Sequence, residues 1–407
     1  MGEQRPFGEL ITYKEALKTI LEETPLIEET EQVILTESVG RVLSQEVKSD
    51  IYVPPFDRAA MDGFVVRADD TYGAGKFDPN ELEVIGNIHA GDSPEIEVTE
   101  GKCTQIATGA PMPEGADAVV KVENTEVEED GKIVKIYEPV HPGQNVSPKG
   151  EDIEVGEVVL EKEGMLTSAK IGALAAMGKE KVDVYRQPQV CIIPTGDEVV
   201  PLGEELKAGQ IYDVNSYTLT SMIVQNGGEP HKGEIVHDTI EGLKKEIEKR
   251  AEEFDMVLFS GGSSVGDKDL VVDAIRSIGE VIFHGVKLKP GKPTLFGRVD
   301  GTPVIGMPGY PTSCLNTAQQ LIKPALRKMA RLPSPPERTK DAILEKRVVS
   351  SLGRQQYMTV KLDGEKAHPV YKQSGAITSM AQANGYFEIP ENVELVDKGE
   401  KIRVTLF

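Results

Sequence analysis

SGGSSVGDKD, residues 260–269, stands between an apolar run and a stretch with helical periodicity. Its opening residues Ser260, Gly261, Gly262 and Ser263 offer backbone N–H groups unhindered by large side chains, close to a helix start. That arrangement suits an anion. The same loop brings Asp267 and Asp269, whose carboxylates repel phosphate and other oxyanions. Carboxylates do hold Mg²⁺, and Mg²⁺ can bridge to an anion. An amide nest joined to acids therefore suggests a metal-assisted anion site, suited to phosphoryl or nucleotidyl chemistry or to oxyanion handling. A flexible strand-to-helix connection explains this loop equally well if it is taken alone.

Three further polar loops follow apolar runs in the same region. TGDE, 195–198, carries Asp197 and Glu198. KLKPGKP, 287–293, gathers Lys287, Lys289 and Lys292, compact charges suited to phosphate or an oxyanion, although solvated lysines are the commoner reason for such a run. MPGYPTS, 307–313, has Pro308 and Pro311 in a stiff turn with Ser313 near the next helix start.

The elements that must position these loops alternate. QVCIIP, EPHKGEIV, DMVLFS, EVIFHGV, TLFGRV and TPVIGM read as strands. NSYTLTSMIVQNGG, DTIEGLKKEIEKRAEEF, DLVVDAIRSIG and PTSCLNTAQQLIKPALRKMA read as helices, the second with Asp238 and Glu241 as a capping box. Such alternation predicts a mostly parallel, doubly wound sheet over 187–330. Ligands of such sheets sit beyond the carboxyl ends of the strands, so all four loops fall on one edge.

Upstream, Thr12 and Glu15 form a capping box for a helix over 12–24, residues 36–47 suggest a second short helix, and LTSAKIGALAAMG at 166–178 a third. Between about 50 and 145, Gly, Pro and Asp punctuate short β-branched runs, with a hairpin turning at Asp130-Gly131. The expected domains are thus 1–48 with 147–186 as a helical and linker domain, 49–146 as an inserted β domain, 187–330 as the α/β domain, and 331–407 as a C-terminal β domain or barrel behind a Pro-rich linker. The fold class is multidomain α/β plus β.

The 407 residues suit two to four domains. A net charge of −22 argues against a nonspecific nucleic-acid binder. Three scattered cysteines make neither a CxxC pair nor a disulfide framework, which fits a cytoplasmic protein. No run suggests a signal peptide, a myristoylation signal or a membrane span. No GxGxxG, Ser-His-Asp or His-rich metal pattern stands out.

PPFDRAAMDGFVVRADD, IATGAPMPEGADAVV, GQNVSPKGEDI, PTGDEVV, GQIYDVNSYTL, FSGGSSVGDKD, KLKPGKPTLFG and GMPGYPTS, in this order, resemble the MoeA-type molybdopterin molybdenumtransferase family, related to the C-terminal part of gephyrin. Weaker similarity, including QSGAITSMAQANGYFEIP, extends it over essentially the whole chain. The resemblance implies an elongated homodimer of four-domain subunits. Its α/β domain would be MogA/MoaB-like, the fold shared with molybdopterin adenylyltransferases. The implied reaction inserts molybdate, or tungstate, into adenylylated molybdopterin with release of AMP and use of Mg²⁺. The implied site is a cleft between the α/β domain of one subunit and the small β domain of the other. Matched to the motifs, Lys289 and Lys292 would hold molybdate or the pterin phosphate. Glu198 and Asp269 would help position Mg²⁺ and the pterin or nucleotide. Asp62 and Asp152, catalytic acids with Glu198 and Asp269, would close the cleft from the β-domain side, Thr108, Pro308 and Pro311 would contact substrate, and Ser374 would line the same cleft. Tyr310 stands where the family commonly has Asn, and Thr359 where it often has Arg, which weakens the case for a basic contact from the C-terminal domain. The competing expectations are a molybdopterin adenylyltransferase and a nonenzymatic gephyrin-like scaffold.

Overall fold

A computed structural model describes residues 9–237, 239–261, 270–372 and 375–407. The chain divides into two compact units, one of Met1–Glu31, Gly40–Val42 and Val184–Phe407, the other of Gln32–Val39 and Leu43–Asp183.

The expected first helix forms over Tyr13–Glu23. Glu15 N–H donates to Thr12 Oγ1 at 3.2 Å and Thr12 N–H donates to Glu15 Oε2 at 2.9 Å, so the box is reciprocal. Its buried Ala16 and Ile20 join the core of the α/β domain. Residues 36–47 do not make an α-helix: a 3₁₀ turn over Leu35–Glu37 is followed by extended chain. Gly40 there adopts φ 75°, which ends helical winding.

The second unit holds a six-stranded sheet in the order Ala118–Lys121, Gly63–Val66, Lys102–Ile106, Asn80–Ile88, Ile133–Ile136, Thr125–Val127. Alternate side chains feed two cores, Phe64 and Val66 into one, Val65 and Ile106 into the other. The predicted hairpin is the antiparallel pair Thr125–Val127 and Ile133–Ile136, with Gly131 at φ 72° in its turn. Ser168–Ala176 forms the expected helix, its first turn accepted by the Thr167 hydroxyl.

The α/β domain of the first unit has a six-stranded sheet in the order Glu229–Lys232, Gln189–Pro194, Met256–Ser260, Thr302–Met307, Leu295–Val299, Glu280–His284. The first four run parallel. The last two pair antiparallel, Leu295–Val299 and Thr302–Met307 forming a hairpin around Asp300 and Gly301, both at positive φ. Glu280–His284 consequently points the same way as the parallel strands, and its following loop joins theirs on the carboxyl edge. Aliphatic residues from both faces are fully buried, Ile192, Leu258 and Ile305 on one side, Ile193, Val257 and Val304 on the other. Each such side chain contributes roughly 1.5–3 kcal/mol by leaving water.

Helix Ile240–Glu253 is capped by the Thr239 hydroxyl, which accepts from Gly242 N–H; Asp238, the expected cap, lies outside the described residues. The long helix expected from 311 is interrupted by a π turn over Ala318–Ile322, between α-helical Pro311–Thr317 and Lys323–Met329. Pro324 has no N–H to give the Gln320 carbonyl, and that carbonyl instead accepts from Tyr13 Oη at 3.4 Å.

The C-terminal domain closes five strands into a barrel: Gln355–Asp363, Lys366–Pro369, Thr339–Leu344, Lys401–Leu406 and Gly385–Ile389, the last pairing back to the first. A sixth segment, Leu288–Lys289 of the α/β domain, adds to it in parallel against Gln355 and Gln356.

Candidate functional site

The carboxyl edge of the α/β sheet opens into a cavity of about 620 Å³. All four predicted loops reach it: Thr195 and Glu198 from the first, Ser260 and Gly261 from the second, Leu288 to Pro293 from the third, Pro308 to Pro311 with Ser313 from the fourth. Glu198, Ser260, Gly261, Lys289, Lys292, Pro308 and Pro311 therefore share one concavity. Gly262, Ser263, Asp267, Asp269 and Ser374 lie outside the described residues. Asp197 is not on this wall: its carboxylate meets His237 Nδ1 at 3.0 Å and both side chains are exposed.

The backbone needs glycine where the loops cross. Gly261 adopts φ +123°, and a Cβ there would stand 2.4 Å from the Thr195 carbonyl oxygen. Gly291 of the lysine loop adopts φ +130°, with Thr317 Oγ1 2.6 Å from the Cβ position. Asn316 Nδ2 donates to the Pro290 carbonyl at 2.7 Å and fixes the same turn.

Lys289 Nζ donates to Ser351 Oγ at 3.0 Å. Partial burial, and then the positive Arg354 nearby, hold its pKa below the ordinary lysine value. Arg354 and Tyr371 of the C-terminal domain complete the cavity wall. Sequence reasoning missed both, and Arg354 puts a basic side chain of that domain on the cavity wall. Thr359 is buried within the barrel strand and is not on the cavity wall. Tyr310 is on the wall and two-thirds exposed, 67%.

Also unforeseen were Asp213 and Asn215, which enter the cavity from the start of helix Asn215–Gln225. Asp213 Oδ1 accepts from Ser216 N–H at 3.0 Å, and Lys232 Nζ lies 2.9 Å from Oδ2. Their stretch, GQIYDVNSYTL, is one of the motifs that carry the family resemblance. Asp213 precedes the helix and is buried, 3% exposed.

In the other unit the remaining motifs also converge. Asp62 Oδ1 accepts from Thr108 N–H at 2.7 Å and Thr108 Oγ1 at 2.8 Å, and these bonds hold its pKa below the usual carboxylate range. Asp57 Oδ1 accepts from Lys149 N–H at 2.7 Å, and Asp152 N–H donates to the Val53 carbonyl at 2.9 Å. PPFDRAAMDG, ATGAP and GEDI thus form one exposed cluster that carries Asp62, Thr108 and Asp152. No helix among the described residues is long and apolar enough to cross a membrane.

Comparison with known proteins assigns most of the chain. Residues 11–178 match the MoeA N-terminal region (domain I and II), 191–328 a probable molybdopterin binding domain, and 341–407 the MoeA C-terminal region (domain IV). The molybdopterin molybdenumtransferase of Haemophilus influenzae is 35% identical over 79% of this chain and 78% of its own. Molybdopterin molybdenumtransferase 2 of Mycobacterium tuberculosis is 34% identical over 91% and 94%. A crystal structure of a molybdopterin biosynthesis MoeA protein from Pyrococcus horikoshii has TM-score 0.83 and 41% identity, covering 98% of this chain and 99% of that one. With the ordered motifs meeting in one cavity and one loop cluster, and full-length relatives at this identity, the chain belongs to the MoeA family.

Proposed function

We propose that this protein is a molybdopterin molybdenumtransferase of molybdenum cofactor biosynthesis, inserting molybdate or tungstate into adenylylated molybdopterin and releasing AMP in the cytoplasm. The observation that carries the reading is the meeting of Glu198 with Lys289, Lys292 and Arg354 on one cavity wall. Both substrates are anions, and the three cations offset their charge. Lys289 is held below its ordinary pKa by burial and by Arg354, and an arriving anion favours its ammonium form. Loss of AMP breaks a phosphoanhydride, and cations already in place stabilise the charge that develops on the leaving phosphate.

Among the described residues no three His, Cys, Asp or Glu side chains form a metal cage. Mg²⁺ does not require one: it keeps several waters and takes one or two carboxylates with substrate phosphates. The exposed Glu198 carboxylate fits that demand. Glu198 would hold Mg²⁺ with Asp269 as second ligand, and the bound ion would polarise phosphate oxygens. Asp62 and Asp152 enter the proposal as further catalytic acids, Thr108 and Ser374 as substrate contacts, and the active species as a homodimer.

The test is direct. The purified chain is incubated with adenylylated molybdopterin, Mg²⁺ and either molybdate or tungstate, and AMP is followed. Release with one oxyanion or both is expected, together with its loss in Asp269→Ala at unchanged melting temperature. No AMP with either oxyanion overturns the proposal, and ATP consumption with molybdopterin alone would point to an adenylyltransferase.

A further inference from the structure

A lysine ammonium rides on a flexible four-carbon stem, and it serves an anion best when it is held in place before the anion arrives. Lys289 is held by a neutral group. Its Nζ donates to Ser351 Oγ at 3.0 Å, and Ser351 is a partly buried residue of the C-terminal domain that stands off the cavity wall. The charged group that acts on Lys289 is another cation, Arg354. Lys48, Lys135 and Lys401 are instead each met by a carboxylate.

The difference is chemical. A carboxylate would offset the ammonium's charge and repel an arriving oxyanion. A hydroxyl oxygen accepts one of the three N–H groups, leaves the charge in place and leaves two donors free. Ser351 is itself fixed by its neighbours. Ser350 N–H donates to the Glu394 carbonyl at 2.7 Å, and Ser350 Oγ donates to Gln356 Oε1 at 3.0 Å. Gly353 N–H donates to the Glu391 carbonyl at 2.8 Å, and Gln355 N–H to the Lys287 carbonyl at 2.9 Å. Leu288 and Lys289 pair in parallel with Gln355 and Gln356. The segment that carries Ser351 is therefore tied both to its own domain and to the strand that bears the lysine. Backbone bonds, not two loose side chains, bring hydroxyl and ammonium together.

We propose that Ser351 is a positioning residue for Lys289, holding its ammonium at the cavity wall with the charge intact and two N–H groups open to an oxyanion. It touches the lysine and acts through it. The inference rests on the molybdenumtransferase reading above and deepens it by naming the residue that places one of its cations. The same short segment carries Arg354 onto the wall, so one loop of the C-terminal domain supplies both the hold on Lys289 and the neighbouring charge. Among the described residues, the remaining charged side chains on that wall are Glu198, Asp213 and Lys292.

The test uses the full-length protein and molybdate alone. LKPGKPTLFGR, residues 288–298, is a single tryptic peptide because both of its lysines precede proline, so Lys292 serves as an internal reference for Lys289. With a limiting acetylating reagent at one pH, Ser351→Ala is expected to raise acetylation of Lys289 relative to Lys292 at least about threefold, since the ammonium loses its acceptor. The molybdate concentration that half-protects Lys289 is expected to rise at least about fivefold in Ser351→Ala. Ser351→Thr keeps the hydroxyl and should stay within about twofold of the wild type in both readouts. In the AMP assay, Ser351→Ala should raise KM for molybdate by a similar factor with kcat within about twofold. No protection of Lys289 by molybdate in the wild type, an unmoved half-protection in Ser351→Ala, equal changes at Lys289 and Lys292, a loss confined to kcat, or a failure of Ser351→Thr to restore would each overturn the inference. AMP release with no shift in protection leaves the transferase reading standing and removes this one; a shift in protection without AMP release does the reverse.

Discussion

Lys289 shows how one side chain is tuned by residues far away in sequence. It reaches Ser351, 62 positions on, and shares the wall with Arg354. Burial and the neighbouring guanidinium both disfavour its ammonium form. Competitive acetylation against pH, read by peptide mass spectrometry, should give Lys289 a midpoint below the ordinary lysine value. Adding molybdate or inorganic phosphate should move that midpoint up. Arg354→Ala should also move it up, toward the ordinary value but not to it, since burial is the larger cause. A midpoint indifferent to Arg354 would show that the two charges do not communicate.

Glycines decide whether the loops can cross at the strand ends. Gly261→Ala places a Cβ 2.4 Å from a carbonyl oxygen at a φ of +123°, and should destabilise by about 2–4 kcal/mol in urea unfolding. Gly309→Ala, on the same wall, meets nothing nearer than the Gly261 Cα at 3.7 Å and should change stability by less than about 0.5 kcal/mol. Much at this scale was legible beforehand. QVCIIP ends within a residue of its strand, because a buried apolar run bounded by turn residues leaves little choice. The convergence of the loops followed from topology alone. The antiparallel hairpin at Leu295–Met307 was not legible as such, because a strand's direction is set by its connection and not by its own residues. Arg354, Asp213 and Asn215 were missed for a related reason: they reach the cavity wall through chain segments that no local window joins.

Across the first unit, the N-terminal helix, the π-interrupted helix and the barrel meet at Tyr13, Tyr357 and Tyr386, whose rings stack edge to face at 5.7 and 5.4 Å. Beside them Gln355 Nε2 donates to both Tyr357 Oη and Glu388 Oε2 at 3.0 Å. Burial first, and then Glu337, raise the Glu388 pKa. A carboxyl whose folded pKa exceeds its unfolded value holds its proton longer in the native state, so stability falls as pH rises between the two. Glu388→Gln should therefore raise the melting temperature at neutral pH. The gain should shrink to nothing as the buffer is taken below the unfolded carboxylate pKa of about 4.3, where wild-type Glu388 is itself neutral. A gain that persisted in acid would assign it to packing.

The parallel pairing of Leu288 and Lys289 with Gln355 and Gln356 ties a reactive-looking lysine into the backbone ladder of a different domain. Peeling the barrel away would break that ladder and drag the ammonium with it, along with the guanidinium that shares its wall. The two cations therefore stay side by side on the cavity wall only while the last sixty-odd residues keep that ladder.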